Sequence, residues 1–143
     1  MSLDEQLNLL RTFFDRIPFN RLLGMEIDGL QDGFASMSVP FQESLIGDAR
    51  RPAIHGGVIS ALLDTCGGAA MFTRVGIEDT LSTVDLRVDY LQPGRAETIF
   101  AEARVLRMGN RVGVADIVAY QAGGRDAPIA IGRGVYNIIR RDR

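Results

Sequence analysis

One stretch places chemistry-bearing residue types at a telling spacing: Pro52-Ala53-Ile54-His55-Gly56-Gly57-Val58-Ile59-Ser60-Ala61-Leu62-Leu63-Asp64. It contains the single histidine of the chain, two glycines directly after it, and an acid within an apolar run. Glycines at the entry of a helix leave its first amides unscreened. Those amides have no intrahelical partner, and the helix dipole adds partial positive charge there. Such a turn can hold a polarised carbonyl or a tetrahedral oxyanion. It can also be a loop that needs glycine's backbone freedom. Asp64 has Ser60, Gly67, Gly68 and Met71 as its neighbours along a helix, a face stripped of bulk. A buried carboxylate is costly unless it is paired or used. It reads either as a catalytic base or as an acid bonded to a facing strand or subunit. Each mid-helix glycine costs about 1 kcal/mol against alanine, so Gly67-Gly68 implies close approach of another backbone or a ligand.

On one rigid helix, Gly57 and Asp64 lie roughly 10 Å apart. Both cannot act on one carbonyl from the same chain. A twofold dimer brings Gly57 of one copy beside Asp64 of the other and makes two identical sites. If this constellation is catalytic, the spacing predicts at least a dimer.

The rest of the composition prunes the alternatives. All 16 basic residues are Arg, so every mechanism that needs a lysine is excluded. One His and one Cys argue against a metal site within one chain, and no cofactor is expected. Net charge is −2, which provides no broad basic field for nucleic acid. Eleven of the Arg fall in residues 72–143, as a local anion site or as solvated strand faces. Cys66 cannot form an intramolecular disulfide and falls on the apolar stripe of its helix as a small core residue. No run approaches the roughly 20 apolar residues of a membrane span, and residues 1–16 lack the pattern of a signal peptide. These absences lead to the expectation of a cytoplasmic protein.

The elements that must position these residues follow from periodicity. Residues 3–16 read as an amphipathic helix capped by Ser2 and stopped by Pro18, with a further helical turn at 19–23. Two alternating stretches flank Gln31-Asp32-Gly33 and predict a hairpin. Residues 41–54 read as a loop, and 55–75 as one long buried helix. Period two then returns. Val84, Leu86, Val88 and Tyr90 share one face of a strand, opposite Thr83, Asp85, Arg87 and Asp89. Strands at 97–107, 111–121 and 128–139 complete the pattern, with a frayed tail at 140–143. Short turns predict that these four strands are consecutive antiparallel neighbours. The expected fold is α+β: a curved antiparallel sheet of about six strands wrapped around one long helix, with an N-terminal helix, in a single domain over residues 1–143.

His55-Gly56-Gly57, Asp64 on a long apolar helix, and Thr83-Val84-Asp85-Leu86-Arg87-Val88-Asp89-Tyr90-Leu91-Gln92-Pro93 together resemble the hotdog-fold acyl-CoA thioesterases. The likeness is to the phenylacetic-acid-pathway type and covers roughly residues 20–138. It implies hydrolysis of an acyl-CoA thioester to free CoA and a carboxylate, by homodimers or tetramers built as dimers of dimers. By that likeness the Gly57 amide polarises the thioester carbonyl, and Asp64 of the partner chain is the general base or the nucleophile. His55 holds the loop near the thioester, Gly56 lines the substrate, and Thr83 helps to position water. Arg107, Asn110 and Arg111 form a Gly-basic turn that would grip CoA phosphate. Relatives of this type often carry an Asn six residues before the His. Here that position is Ala49, and Asp48 beside it is the candidate replacement. Two other readings stay in view: a non-catalytic acyl-CoA-binding module, and a hotdog hydratase or dehydratase.

Overall fold

The computed structural model describes residues 1–141. The first helix, α1, is Leu3–Asp15, and Ser2 and Glu5 close a reciprocal capping box at its start. Helix α2 (Pro18–Leu23) starts on Pro18 and stops at Gly24, whose φ of 73° is left-handed. Strands β1 (Glu26–Gln31) and β2 (Phe34–Val39) form the expected hairpin. The loop that follows contains a second, small hairpin of β3 (Ile46–Asp48) and β4 (Ala53–Ile54), which periodicity could not show in segments so short. The long helix α3 (Gly56–Phe72) begins one residue after His55, which is its N-cap. Strands β5 (Thr80–Tyr90), β6 (Ile99–Met108), β7 (Val112–Tyr120) and β8 (Ala130–Ile139) complete the chain.

Six of these strands form one antiparallel sheet in the order β1-β2-β6-β7-β8-β5. Its concave face carries α3. Leu62, Leu63, Cys66, Ala69 and Ala70 of the helix are fully buried against Ala35, Met37, Ala101, Ala103 and Ala119 of the strands. The run of alanines lets the helix seat closely on the sheet, and burial there is the main driving force for the fold. Cys66 is part of this core, and burial pushes its thiol up.

The expectation of four consecutive neighbours fails at one connection. β5 pairs with β8, not with β6. Residues 91–98 do not form a hairpin but run past the start of α3, where the Gly94 carbonyl accepts from the Ile54 amide at 2.9 Å. Gly94 packs there against Ile54, Ile59 and Ile129. This excursion lets β5 close the far side of the sheet around the helix.

A second difference concerns facing. The β5–β8 register slips between Thr83 and Asp85, so Val84 is the extra residue of a β-bulge. Val84 is 63% exposed and does not share the face of Leu86 and Val88. The bulge shifts the alternation by one, and Thr83 turns to the helix side instead. The tail is also better held than expected. The Arg140 guanidinium donates to the carbonyls of Asn110 and Gly109, and the Arg141 amide donates to buried Asp79. Residues 142–143 lie outside the described residues.

Candidate active site

The helix N-terminus is built from the loop upward. The His55 amide donates to the Leu45 carbonyl at 2.9 Å, which ties the cap to the short 3-10 turn before β3. Gly47 lies so close to His55 that a Cβ there would stand 2.6 Å from the His55 Cα. The imidazole then folds back over the helix end, and its Nδ1 accepts from the Gly57 amide at 2.8 Å. An accepting Nδ1 leaves the ring proton on Nε2 in the neutral form. Tyr90, at the end of β5, reaches across and donates its hydroxyl to the Gly56 carbonyl at 3.0 Å. His55, Gly56, Asp48, Tyr90 and Leu91 line one open depression of ≈ 470 Å³. His55 and Gly57 are both exposed.

Asp48 faces this depression as part of an ion pair. Its carboxylate accepts from the Arg50 amide at 3.0 Å and from the guanidiniums of Arg50 and Arg51. The Arg50 amide and side chain hold its carboxyl below the usual range, with Arg51 adding to the effect.

Asp64 sits further along α3, half-buried. Its Oδ1 accepts from the Thr83 hydroxyl at 2.8 Å. Tyr136 of β8 donates its hydroxyl to the Asp64 main-chain carbonyl at 3.0 Å and lies 3.5 Å from the same Oδ1. Burial, and then the Asp64 charge, push the Tyr136 phenol up, so it remains a donor. Oδ2 of Asp64 has no hydrogen-bond partner among the described residues. The result is a carboxylate anchored through one of its two oxygens.

The two groups are not together in one chain. Seven helical positions separate Gly57 from Asp64, about 10 Å of rise. Arg107, Asn110 and Arg111 are further away still. They lie on the β6–β7 turn, beyond the C-terminal half of α3, where Gly113 is packed under Met71. Arg107 and Arg111 are exposed and have no carboxylate partner among the described residues. Other arginines of the second half are neutralised. Arg133 pairs with Asp116 at 2.9 Å and Arg125 with Glu102 at 2.9 Å, around a hollow of ≈ 480 Å³ on the outer face of the sheet. That hollow is remote from Asp64 and lacks its chemistry.

Among the described residues, no group of three or more His, Cys, Asp or Glu side chains could hold a metal ion. No helix among them is long and apolar enough to cross a membrane. Residues 52–128, more than half of the chain, match the Thioesterase superfamily. The chain belongs to that superfamily. A putative esterase of Halobacterium salinarum is 33% identical over 97% of this chain and 96% of its own length. The medium/long-chain acyl-CoA thioesterase YigI of Escherichia coli is 39% identical over 73% of this chain and 76% of its own. The fold is shared with the E. coli PaaI protein from the phenylacetic acid degradation operon, with a TM-score of 0.84 over 96% of each chain at 24% identity. The hotdog architecture expected from the sequence is therefore the observed one, and the protein is a thioesterase.

Tyr136 was missed among the site residues of this thioesterase. Its signal lay in the inward positions of β8, which run Gly132, Gly134, Tyr136. Two empty positions beside one aromatic mark a slot, but only the register of β8 against β5 shows that the slot opens on Asp64.

Proposed function

We propose that the protein hydrolyses an acyl-CoA thioester to a carboxylic acid and free CoA. The observation that carries this reading is the Asp64 carboxylate, half-buried on an apolar helix, with Thr83 on Oδ1 and no hydrogen-bond partner on Oδ2 among the described residues. Oδ2 takes a proton from water as the water oxygen attacks the thioester carbonyl carbon. The resulting oxyanion is held by the amide of Gly57 at the positive end of α3. The C–S bond then breaks, and the proton passes to the departing CoA thiolate. In the resting structure the Gly57 amide is occupied by His55 Nδ1, so the incoming carbonyl replaces the imidazole as its acceptor. Release of that cap leaves His55 beside the thioester with both nitrogens available.

The reading requires two copies. β5 is an eleven-residue strand at the edge of the sheet, with its outer backbone unpaired, Val84 and Tyr90 exposed along it and Leu91 exposed just beyond its end. Thr83 turns toward α3 and is nevertheless exposed, so the groove between β5 and α3 is open in one chain. A second copy related by a twofold axis would close this groove, set Gly57 of each chain opposite Asp64 of the other, and bring the Arg107–Arg111 turn toward the partner's helix N-terminus. With no lysine present, the CoA phosphates would be held by arginine and amide groups. Asp48 would keep Arg50 and Arg51 in place at the rim rather than position water. Tetramers are built by pairing such dimers, and the reaction belongs in the cytoplasm with its CoA-bound substrates.

The direct test is CoA release, read with a thiol reagent, from short, medium, long and aromatic acyl-CoAs. The likeness to YigI makes medium and long chains the first to try. Absence of release from the whole panel would sink the reading. Tight binding without turnover would identify an acyl-CoA-binding module instead.

A further inference from the structure

The slot around Tyr136 is built with unusual care for a side chain outside the expected motif. Tyr136 is 2% exposed, and its ring lies between β8 and α3. On the helix side, a Cβ at Gly67 would collide with the Tyr136 hydroxyl and with Ile117. On the strand side, a Cβ at Gly134 would stand 2.5 Å from the same hydroxyl and 2.6 Å from Cε2. Both glycines are thus required for the ring to lie flat and for its oxygen to reach Asp64. Mid-helix glycine is unfavourable on its own, so Gly67 is explained by what it admits. Thr83 and Tyr136 are direct partners across β5 and β8, immediately before the bulge at Val84. Two cross-strand hydroxyls therefore converge on one residue of the helix.

We infer that Tyr136 is a positioning residue for Asp64, holding its main chain and the Oδ1 edge of its carboxylate so that Oδ2 faces the reacting water. The inference rests on the reading of Asp64 as the base. The hydroxyl fixes the root of the side chain through the main-chain carbonyl at 3.0 Å, and Thr83 fixes the tip at 2.8 Å. With both in place the carboxylate has little freedom to rotate. A loose carboxylate would still bind substrate normally, because Tyr136 is buried and does not reach the open depression near His55. The predicted signature is a loss in kcat at unchanged KM.

Tyr136→Phe keeps the ring in its slot and removes only the oxygen. Its kcat should fall about tenfold, the scale of one hydrogen bond in a water-poor site, with KM within about twofold of the parent. In a double-mutant cycle with Thr83→Val, the two losses should be non-additive, since both hydroxyls serve one carboxylate. Gly134→Ala retains the hydroxyl but displaces it, and should reproduce the kcat loss. A Tyr136→Phe enzyme with kcat within twofold of the parent would overturn the inference. So would one that loses its cooperative melt, since the hydroxyl would then be holding the fold. The failure of the underlying reading looks different. Full activity in Asp64→Asn removes Asp64 as the base, whereas an inactive Asp64→Asn beside an unimpaired Tyr136→Phe removes only the role of Tyr136.

Discussion

The N-terminal turn of α3 is solvent-exposed and offers main-chain amides, whereas the middle of the same helix is half-buried and offers a side chain. The first needs little support to point its donors, because the helix itself aims the amides of Gly56 and Gly57. Its supports act on the loop: Leu45 on the His55 amide, and Tyr90 on the Gly56 carbonyl. The second needs a bulge, two glycines and two hydroxyls to orient one carboxylate. A backbone donor is preorganised by secondary structure alone. A flexible acid must be fixed by its surroundings, and here a bulge, two small residues and two hydroxyls meet around it.

The sharpest way to break this division is to remove the carboxylate. Asp64→Asn keeps shape and the Thr83 contact but cannot accept a proton. Steady-state kcat should fall by at least about a hundredfold, with the thermal melt little changed. A variant that retains full turnover would move the chemistry away from the helix centre altogether.

Gly57→Pro attacks the other half by deleting the amide, in the first turn of a helix, where proline is tolerated. Turnover should again fall about a hundredfold. Combining the two lesions tests whether the halves that meet belong to different chains. When Asp64→Asn and Gly57→Pro chains are co-expressed, half of the dimers are mixed. Each mixed dimer would have one site carrying both lesions and one site carrying neither. Recovery to about a quarter of parental activity is therefore expected for a site shared across a twofold axis. If each chain used its own Gly57 and Asp64, every site would be damaged and no recovery would follow.

These two halves were legible in the sequence to different degrees, for a physical reason. The His55-Gly56-Gly57 turn is local, so its meaning depends on adjacent residues and could be read directly. The buried helix and most strand limits also follow from local periodicity, to within a few residues. Tyr136 stands 72 positions from Asp64, and nothing local links them. Its role depends on β5 lying beside β8, a pairing hidden by the long excursion of residues 91–98. Strict alternation placed Thr83 opposite Leu86, and only the extra residue at Val84 turns it toward Asp64. A bulge has no reliable mark in a single sequence, because it follows from how a long edge strand must twist around the helix.

A milder perturbation enters through Gly67. Replacement by Ala forces a Cβ against the Tyr136 hydroxyl and Ile117. Overpacking of this kind costs about 1–3 kcal/mol, and the better helix propensity of Ala returns about 1 kcal/mol. A net loss near 1 kcal/mol is expected by urea denaturation, with severalfold slower turnover because the hydroxyl moves. Unchanged stability would show that the slot is looser than its contacts imply.

The finest distinction compares the two tyrosines. Each ends a strand-to-helix bridge with a hydroxyl on a main-chain carbonyl of α3 at 3.0 Å, Tyr90 on Gly56 and Tyr136 on Asp64. Tyr90 is 53% exposed, so water can replace its hydroxyl at the Gly56 carbonyl. It also packs its ring over Gly56, with Cε1 at 3.3 Å from a Cβ placed there, and Phe would keep that contact. Tyr90→Phe should therefore lower kcat by no more than about two- to threefold, less than Tyr136→Phe, where the lost bond is buried and no water can enter. Its main effect should fall on KM, because Tyr90 lines the open depression. Equal kcat losses in the two variants would mean that the helix N-terminus depends on side-chain support as much as the carboxylate does, and the contrast between the two halves would then disappear.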